Sequence, residues 1–428
     1  MNVIRLQNVD SSAAKPTGSI AGFDLLRAGA ALAVVLLHAC VPYLRHPMPG
    51  LIWAVTDTKS NLVDVIFWGI EIFIMPLFLV IAGFLLWRSA QRSSLTRLVR
   101  TRAKRLLIPL AFGVLVILPI DLYLWTVGLV SEGIVPIAKL KSLKFDSPIA
   151  DHIWGLSHLW FLLYVFLYVV VTALLLRLST GRSETTFARL AARPLVGIGM
   201  LATIAIVTLV AAPEVVWGFQ HAFLPVPSKW IYSGVFFAGG YLLAMHDGQL
   251  RWTTRVAPRM CALAGMLLCM SLTIGVWTLD RQTSGQPIRL SANVLLSILT
   301  VAAASTTVLG LVGACARNVR RVPGVIRYLA AASFWIYLVH HPLLGLLHLD
   351  LKWAWPDTSP LVKLAVSFAV STLVSLLLYE TAVRRTAVGR LLGFAYQSDS
   401  EKLASTGEKQ DTPTIPHPAI DSEERRAA

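Results

Sequence analysis

Phe23-Asp24-Leu25-Leu26-Arg27-Ala28 leads, after ten residues beyond Arg27, to His38-Ala39-Cys40, and everything between is apolar or small. The run is long enough for a membrane-crossing helix. Eleven steps of about 100° return a helix to nearly the same angle, roughly 16 Å further along its axis. Arg27 and His38 therefore share one face of a helix that otherwise suits lipid. Ionisable side chains are costly inside a bilayer, so they turn towards protein or a wet cavity and mark function.

The whole chain has the same character. Its 428 residues are 56% hydrophobic and 14% charged, with a mean hydropathy of +0.66. A soluble domain could not cover that much apolar surface, whereas a polytopic membrane protein need not. Apolar runs recur near 22–44, 62–87, 106–129, 156–178, 195–213, 229–246, 258–279, 290–314, 325–348 and 361–380. They predict an all-α, multi-pass integral membrane protein of about ten transmembrane helices, with both termini on one side.

The net charge of +15 does not indicate nucleic acid, because the basic residues are gathered in short loops between the runs. Arg97, Arg100, Arg102, Lys104 and Arg105 follow the second run, Arg251, Arg255 and Arg259 the sixth, and Arg317, Arg320 and Arg321 the eighth. The alternate loops are sparser in Lys and Arg. By the positive-inside rule both termini are cytoplasmic. The first twenty residues are polar and predict no cleaved signal peptide. The expected organisation is a cytoplasmic segment 1–20, a transmembrane domain 21–392 and a disordered cytoplasmic tail 393–428, rich in charge, Ser and Pro. Cys40, Cys261, Cys269 and Cys315 have neither zinc-ligand nor disulfide spacing, and no metal site is expected.

Several ionisable groups fall within the predicted spans. Asp24 precedes Arg27 by three residues, a same-face ion-pair spacing. Counting about 1.5 Å per residue from the outer surface, His38 and Glu71 lie at similar depths on adjacent spans. A carboxylate beside an imidazole raises its basicity, as a general base needs, and the same pair would also serve as a polar contact between helices. Arg100, Arg102 and Arg105 crowd the cytoplasmic entrance of the third span. Such a cluster suits a phosphate-bearing ligand, and equally a topology signal with lipid-headgroup contact. Ser157-His158-Leu159-Trp160-Phe161 and Ser333 to His341-Pro342 bring histidines and aromatics to the outer half. A sugar ring could stack there, although interfacial Trp and Tyr are also ordinary belt residues.

Taken together these stretches resemble the membrane acyltransferase-3 family. Arg27 with His38 is similar to its Arg-(ten residues)-His signature. Gly69-Ile70-Glu71-Ile72-Phe73 leading to Ala82-Gly83-Phe84-Leu85 resembles its second-span motif, with Ala82 where the family usually has serine. Arg102-Ala103-Lys104-Arg105 resembles its Arg-x-x-Arg motif. Ser333-Phe334-Trp335-Ile336-Tyr337-Leu338-Val339-His340 resembles its Ser-Tyr-x-x-Tyr-x-x-His stretch, with Phe334 replacing the first tyrosine. The likeness runs from about residue 20 to 390. His158-Leu159-Trp160-Phe161-Leu162, the small size and the missing esterase-like domain resemble a narrower branch that succinylates periplasmic glucans.

The resemblance implies a bacterial inner-membrane O-acyltransferase, carrying an acetyl or succinyl group from cytoplasmic acyl-coenzyme A to a hydroxyl of a periplasmic or cell-envelope carbohydrate. Acyl-coenzyme A would be a co-substrate, with no tightly bound cofactor. His38 would be the base or a transient acyl carrier, and Glu71 would orient it. Arg27, held by Asp24, would steer the thioester or stabilise its oxyanion. Arg100, Arg102 and Arg105 would bind the coenzyme A phosphates, and His158, Trp160, Tyr337 and His340 would line the acceptor side. A secondary transporter, or a non-catalytic partner in envelope-glycan synthesis, would also have such spans. The first usually shows internal repeats and interrupted helices, and none is seen here.

Overall fold

The computed structural model describes residues 21–146, 149–178, 193–319 and 321–393. The expected N-terminal segment and, beyond Gly393, the expected tail lie outside the described residues. Within them all regular structure is helical, and the sole β feature is an isolated bridge between Leu44 and Ser60. The principal helices are α1 Ala21–Cys40, α2 Asn61–Ala90, α3 Leu95–Phe112, α4 Leu118–Ser131, α5 Trp160–Leu178, α6 Pro194–Ala211, α7 Pro227–His246, α8 Arg251–Thr283, α9 Leu290–Asn318, α10 Gly324–Ala354 and α11 Pro360–Leu378. A π-helical turn, Gly113–Ile117, joins α3 to α4 in one continuous rod.

Each of the ten apolar runs is thus helical. Nine of the described helical segments are long and apolar enough to cross a membrane. The run near 229–246 forms α7, whose 20 residues include Lys229, Tyr232, Ser233 and Tyr241 and make it less apolar. Local chemistry sets the starts. Pro194, Pro227 and Pro360 open α6, α7 and α11, where a missing N–H costs nothing. The Ser94 side chain accepts from Arg97 N at 3.4 Å and caps α3.

The outer surface is apolar as well as the core, and a few charged groups are buried among the helices. Leu195 on α6 is 82% exposed, while Lys363 on α11 is fully buried. Apolar atoms on the outside and ion pairs within are what a bilayer requires. Inside the bundle α1 packs against α2 and α10, α2 against α7, and α8 against α9. The α2–α7 contact depends on two glycines. A Cβ on Gly83 would stand 2.0 Å from Phe237 O, and one on Gly240 would stand 2.0 Å from Val80 O. Small residues let membrane helices approach this closely, which accounts for the glycine of the Ala82-Gly83 motif.

The segment 44–60 between α1 and α2 folds back over the bundle. Ser60 N donates to Tyr43 O and Asp57 N to Pro42 O. Lys363 Nζ then clasps Asp57, at 2.8 and 3.1 Å from its two carboxylate oxygens. Lys352 donates to Thr56 O at 2.8 Å and pairs with Glu132. These anchors hold Trp53 down on the interior.

Candidate active site

A cavity of about 700 Å³ runs through the bundle, within the range of small-molecule sites. Its lining residues on α2 extend from Phe67 to Ser89, roughly 33 Å of helix rise and comparable to a bilayer's hydrocarbon thickness of about 30 Å. One end is bordered by Arg27, Ser89, Arg102 and Arg105; the other by Met48, Leu51, Gly218 and Phe219. His38, Glu71, His158, Trp160, Lys229, Tyr337 and His341 line the stretch between.

At the arginine end, Arg102 Nη2 donates to Ser89 Oγ at 3.3 Å, tying α3 to the end of α2. Arg105, one turn on, also borders the cavity, whereas Arg100 is exposed and does not line it. Arg100 is thus set apart from the other two expected phosphate ligands. Arg27 Nη1 lies 3.8 Å from Asp24 Oδ1, and its Nη2 donates to Ala330 O at 3.4 Å. Arg27 and His38 sit on one uninterrupted helix, so their Cα atoms are about 16 Å apart along the axis. An arginine arm spans less than half of that. Arg27 therefore belongs to the arginine end, and an oxyanion role beside His38 is corrected on geometric grounds.

The histidine end brings together residues from four elements. His38 Nδ1 lies 2.9 Å from Val34 O and 3.3 Å from His340 Nε2. A carbonyl only accepts, so Nδ1 carries the hydrogen and Nε2 keeps its lone pair. His340 Nδ1 likewise faces the carbonyls of Tyr337 and Ile336, at 2.8 and 3.1 Å. Its Nε2 is then an acceptor for the shared His38 N–H. The ring of His38 also lies 5.2 Å from that of His341 and 6.3 Å from Trp53.

No hydrogen bond or ion pair joins His38 to Glu71 among the described residues. Their expected direct contact is corrected: both line the cavity, but the His38 partner is His340. Glu71 shares the cavity wall with Lys229 and Tyr232 of α7. Lys229 Nζ sits 4.1 Å above the Trp160 ring and 3.4 Å from Gln220 O.

His158 enters on a 3-10 turn, Ser157–Leu159, that opens α5. Ser157 has φ +48°, a conformation that costs a non-glycine residue energy and that surrounding contacts must impose. Here His221 supplies the contact: its Nδ1–H donates to His152 O at 2.9 Å, leaving Nε2 to accept Ser157 N–H at 2.8 Å. Burial is the chief reason the His221 imidazole is held below its ordinary pKa, which keeps Nε2 free to accept. Tyr337 Oη donates to His158 O, and His158 Nε2–H to Leu338 O at 3.2 Å. Trp160 packs edge-on to Tyr164 at 4.9 Å.

Sequence reasoning missed Trp53, Asp121, Lys229 and His348 here. Trp53 Nε1 donates to His348 Nδ1 at 2.9 Å, and its ring packs 4.8 Å from His341. Its place depends on a loop fold that periodicity does not report. Asp121 and Lys229 carried a readable signal, since each is an ionisable group inside an apolar run.

Residues 20–380 match the acyltransferase-3 family model, described as an acyltransferase domain. The chain belongs to that family, a family of membrane acyltransferases. No curated protein and no solved structure matches the chain.

Proposed function

We propose that this member of the acyltransferase-3 family moves an acetyl or succinyl group from cytoplasmic acyl-coenzyme A to a hydroxyl of a periplasmic or cell-envelope carbohydrate, in a bacterial inner membrane. The observation that carries the reading is the single cavity bordered by arginines at one end and histidines with aromatics towards the other. A donor with phosphates and a long acyl-bearing arm needs that polarity. Its phosphates suit Arg102 and Arg105, whose guanidinium groups bind phosphate oxygens through charge-assisted bonds. Its arm would run past Arg27 towards His38.

His38 Nε2 is the free lone pair and would take the proton of the acceptor hydroxyl. The hydroxyl oxygen attacks the thioester carbonyl, the C–S bond breaks, and the proton passes to the departing thiolate. His340 accepts from His38 Nδ1–H and so steadies the tautomer and any imidazolium that forms. Trp160, Tyr337 and His158 would face the acceptor, Trp160 offering a ring surface for a sugar. Glu71 with Lys229 would set the charge of the cavity wall rather than act on His38. The narrower reading, a succinyl donor and a periplasmic glucan acceptor, is carried by the His158 to Leu162 stretch.

The test is mass spectrometry of envelope glycans from a deletion strain complemented with wild type or His38→Ala at equal membrane expression. An ester mass increment restored by wild type alone supports the reading and identifies the acyl group. Restoration by both makes His38 structural, and restoration by neither removes the transferase assignment for these glycans.

A further inference from the structure

Asp121 lies on α4, one turn past the π-helical turn that interrupts the third membrane rod. One extra residue there rotates everything beyond it by about 100° relative to a regular helix. Asp121 is 3% exposed in a segment of otherwise apolar neighbours. His341 Nδ1 stands 2.9 Å from its Oδ2, and His158 Nδ1 stands 3.9 Å from the same oxygen. The two imidazole rings are nearly parallel, 4.7 Å apart. All three residues are more than nine-tenths buried. Among the described residues, neither Asp121 oxygen and neither Nδ1 has a hydrogen-bond partner of acceptable geometry.

Four unpartnered polar atoms meeting in one buried spot are expensive. His158 Nε2–H is already committed to Leu338 O, so its Nδ1 presents a lone pair towards a carboxylate. Two negative-ended groups facing one another require a positive charge between them. A proton on His341 Nδ1 would serve His341 and Asp121, but would leave the His158 lone pair unmatched. A metal ion serves all three.

We propose that Asp121, His158 and His341 bind a divalent transition ion of the zinc class in the cavity wall. Two imidazoles and a carboxylate suit such ions. Ligand atoms about 2.0–2.2 Å from a tetrahedral ion stand roughly 3.3–3.6 Å apart. Asp121 Oδ2 and His341 Nδ1 are already closer than that at 2.9 Å. His158 Nδ1, at 3.9 Å from the carboxylate in a group whose ligand atoms all lie within 4.8 Å of one another, closes on the ion by a small swing of its ring. The His158 N–H bond to a backbone carbonyl is the outer contact that fixes the tautomer of a metal-ligating imidazole. His158 and His341 line the cavity while Asp121 stands behind them, so the fourth position opens to substrate, as in catalytic rather than structural sites. An ion there would polarise an oxygen delivered to the cavity. The site does not depend on the transfer reaction proposed above, because metal content is measured without substrate.

The full-length chain, purified in detergent with a tag free of histidine, is analysed for transition metals by plasma mass spectrometry. About one zinc-class ion per chain is expected, as for a three-ligand site. Asp121→Asn and His341→Gln should lower occupancy by at least about tenfold, and Glu71→Gln, in the same cavity, should keep it. Zinc-edge X-ray absorption on wild type alone, needing no variant to fold, should count two imidazoles at about 2.0–2.1 Å. Two results overturn the proposal. One is wild type that is metal-free as purified and, after added cobalt(II), shows no visible ligand-field band. The other is metal that all three variants retain equally, or that has fewer than two imidazole ligands. In the first case the bridging charge is a proton, and Asp121 is the hydrogen-bond partner of His341.

Discussion

Removing the carboxylate of Asp57 should unfasten the loop that roofs the histidine end. Lys363 is fully buried, and its ammonium has two carboxylate contacts, at 2.8 and 3.1 Å, and one carbonyl at 3.4 Å. Asp57→Ala leaves only that long carbonyl contact for a buried charge, a loss of about 3–5 kcal/mol. Lys363→Met should cost towards the lower end of that range, because Thr58 N still donates to Asp57 at 2.6 Å. The double variant Asp57→Leu with Lys363→Met exchanges the pair for apolar contact and should be less destabilised than either single change. Unfolding free energies from detergent titration in mixed micelles give the cycle. Transfer activity gives a second readout, since Trp53 reaches His348 and His341 only while the loop is held. Activity should fall in Asp57→Ala and recover in the double variant. A single change costing less than about 1 kcal/mol, as solvent-exposed pairs do, or strict additivity in the cycle, would refute the reasoning.

On the proposed role of His38 as general base, His38→Gln should lower transfer by roughly 10²–10⁴-fold. His340→Ala, which spares the bond from His38 Nδ1 to Val34 O, should cost about tenfold, and equal losses would contradict the assigned tautomer. Gly83→Ala sets a methyl 2.0 Å from Phe237 O, so α2 and α7 must part. A loss of about 1–3 kcal/mol or more is expected, visible as a lowered thermal midpoint in detergent, whereas an unchanged midpoint means the contact is looser than described. His46, outside the spans, bonds Asp64 and Asp280, each at 2.7 Å. Burial opposes its charged form, but bonds to the two carboxylates outweigh this and raise its pKa above 6.5. A raised folded value means that its contribution to stability is complete below 6.5 and is lost as pH climbs through the higher folded value. The wild-type midpoint should therefore decline across that window, and His46→Gln should flatten the decline; parallel pH profiles would exclude the linkage.

The rise that separates two groups along a helix was readable from the chain, and their partners were not, for a geometric reason. Rise per residue places His38 and Glu71 at similar levels, but which way each faces depends on the neighbours its helix acquires. The His38 edge of α1 turns to α10 and meets His340, while Glu71 lies on α2, which packs chiefly against α7, and lines the cavity with Lys229. Trp53 was beyond reach because its position is set by anchors more than 290 residues away in the chain. Asp121 was within reach, since the rule that singles out Glu71 applies to any carboxylate in an apolar run. What the π turn adds is azimuth, carrying that carboxylate to His158 and His341. The Arg27–His38 spacing gains a different meaning from the same geometry. A shared helix face does not let the two side chains act on one atom, because about 16 Å of rise separates them. On the proposed reading that spacing is a ruler. It sets how far the donor's reactive carbonyl must extend from its charged end to reach His38 Nε2, so donors with shortened arms should bind the arginines normally and fail to react.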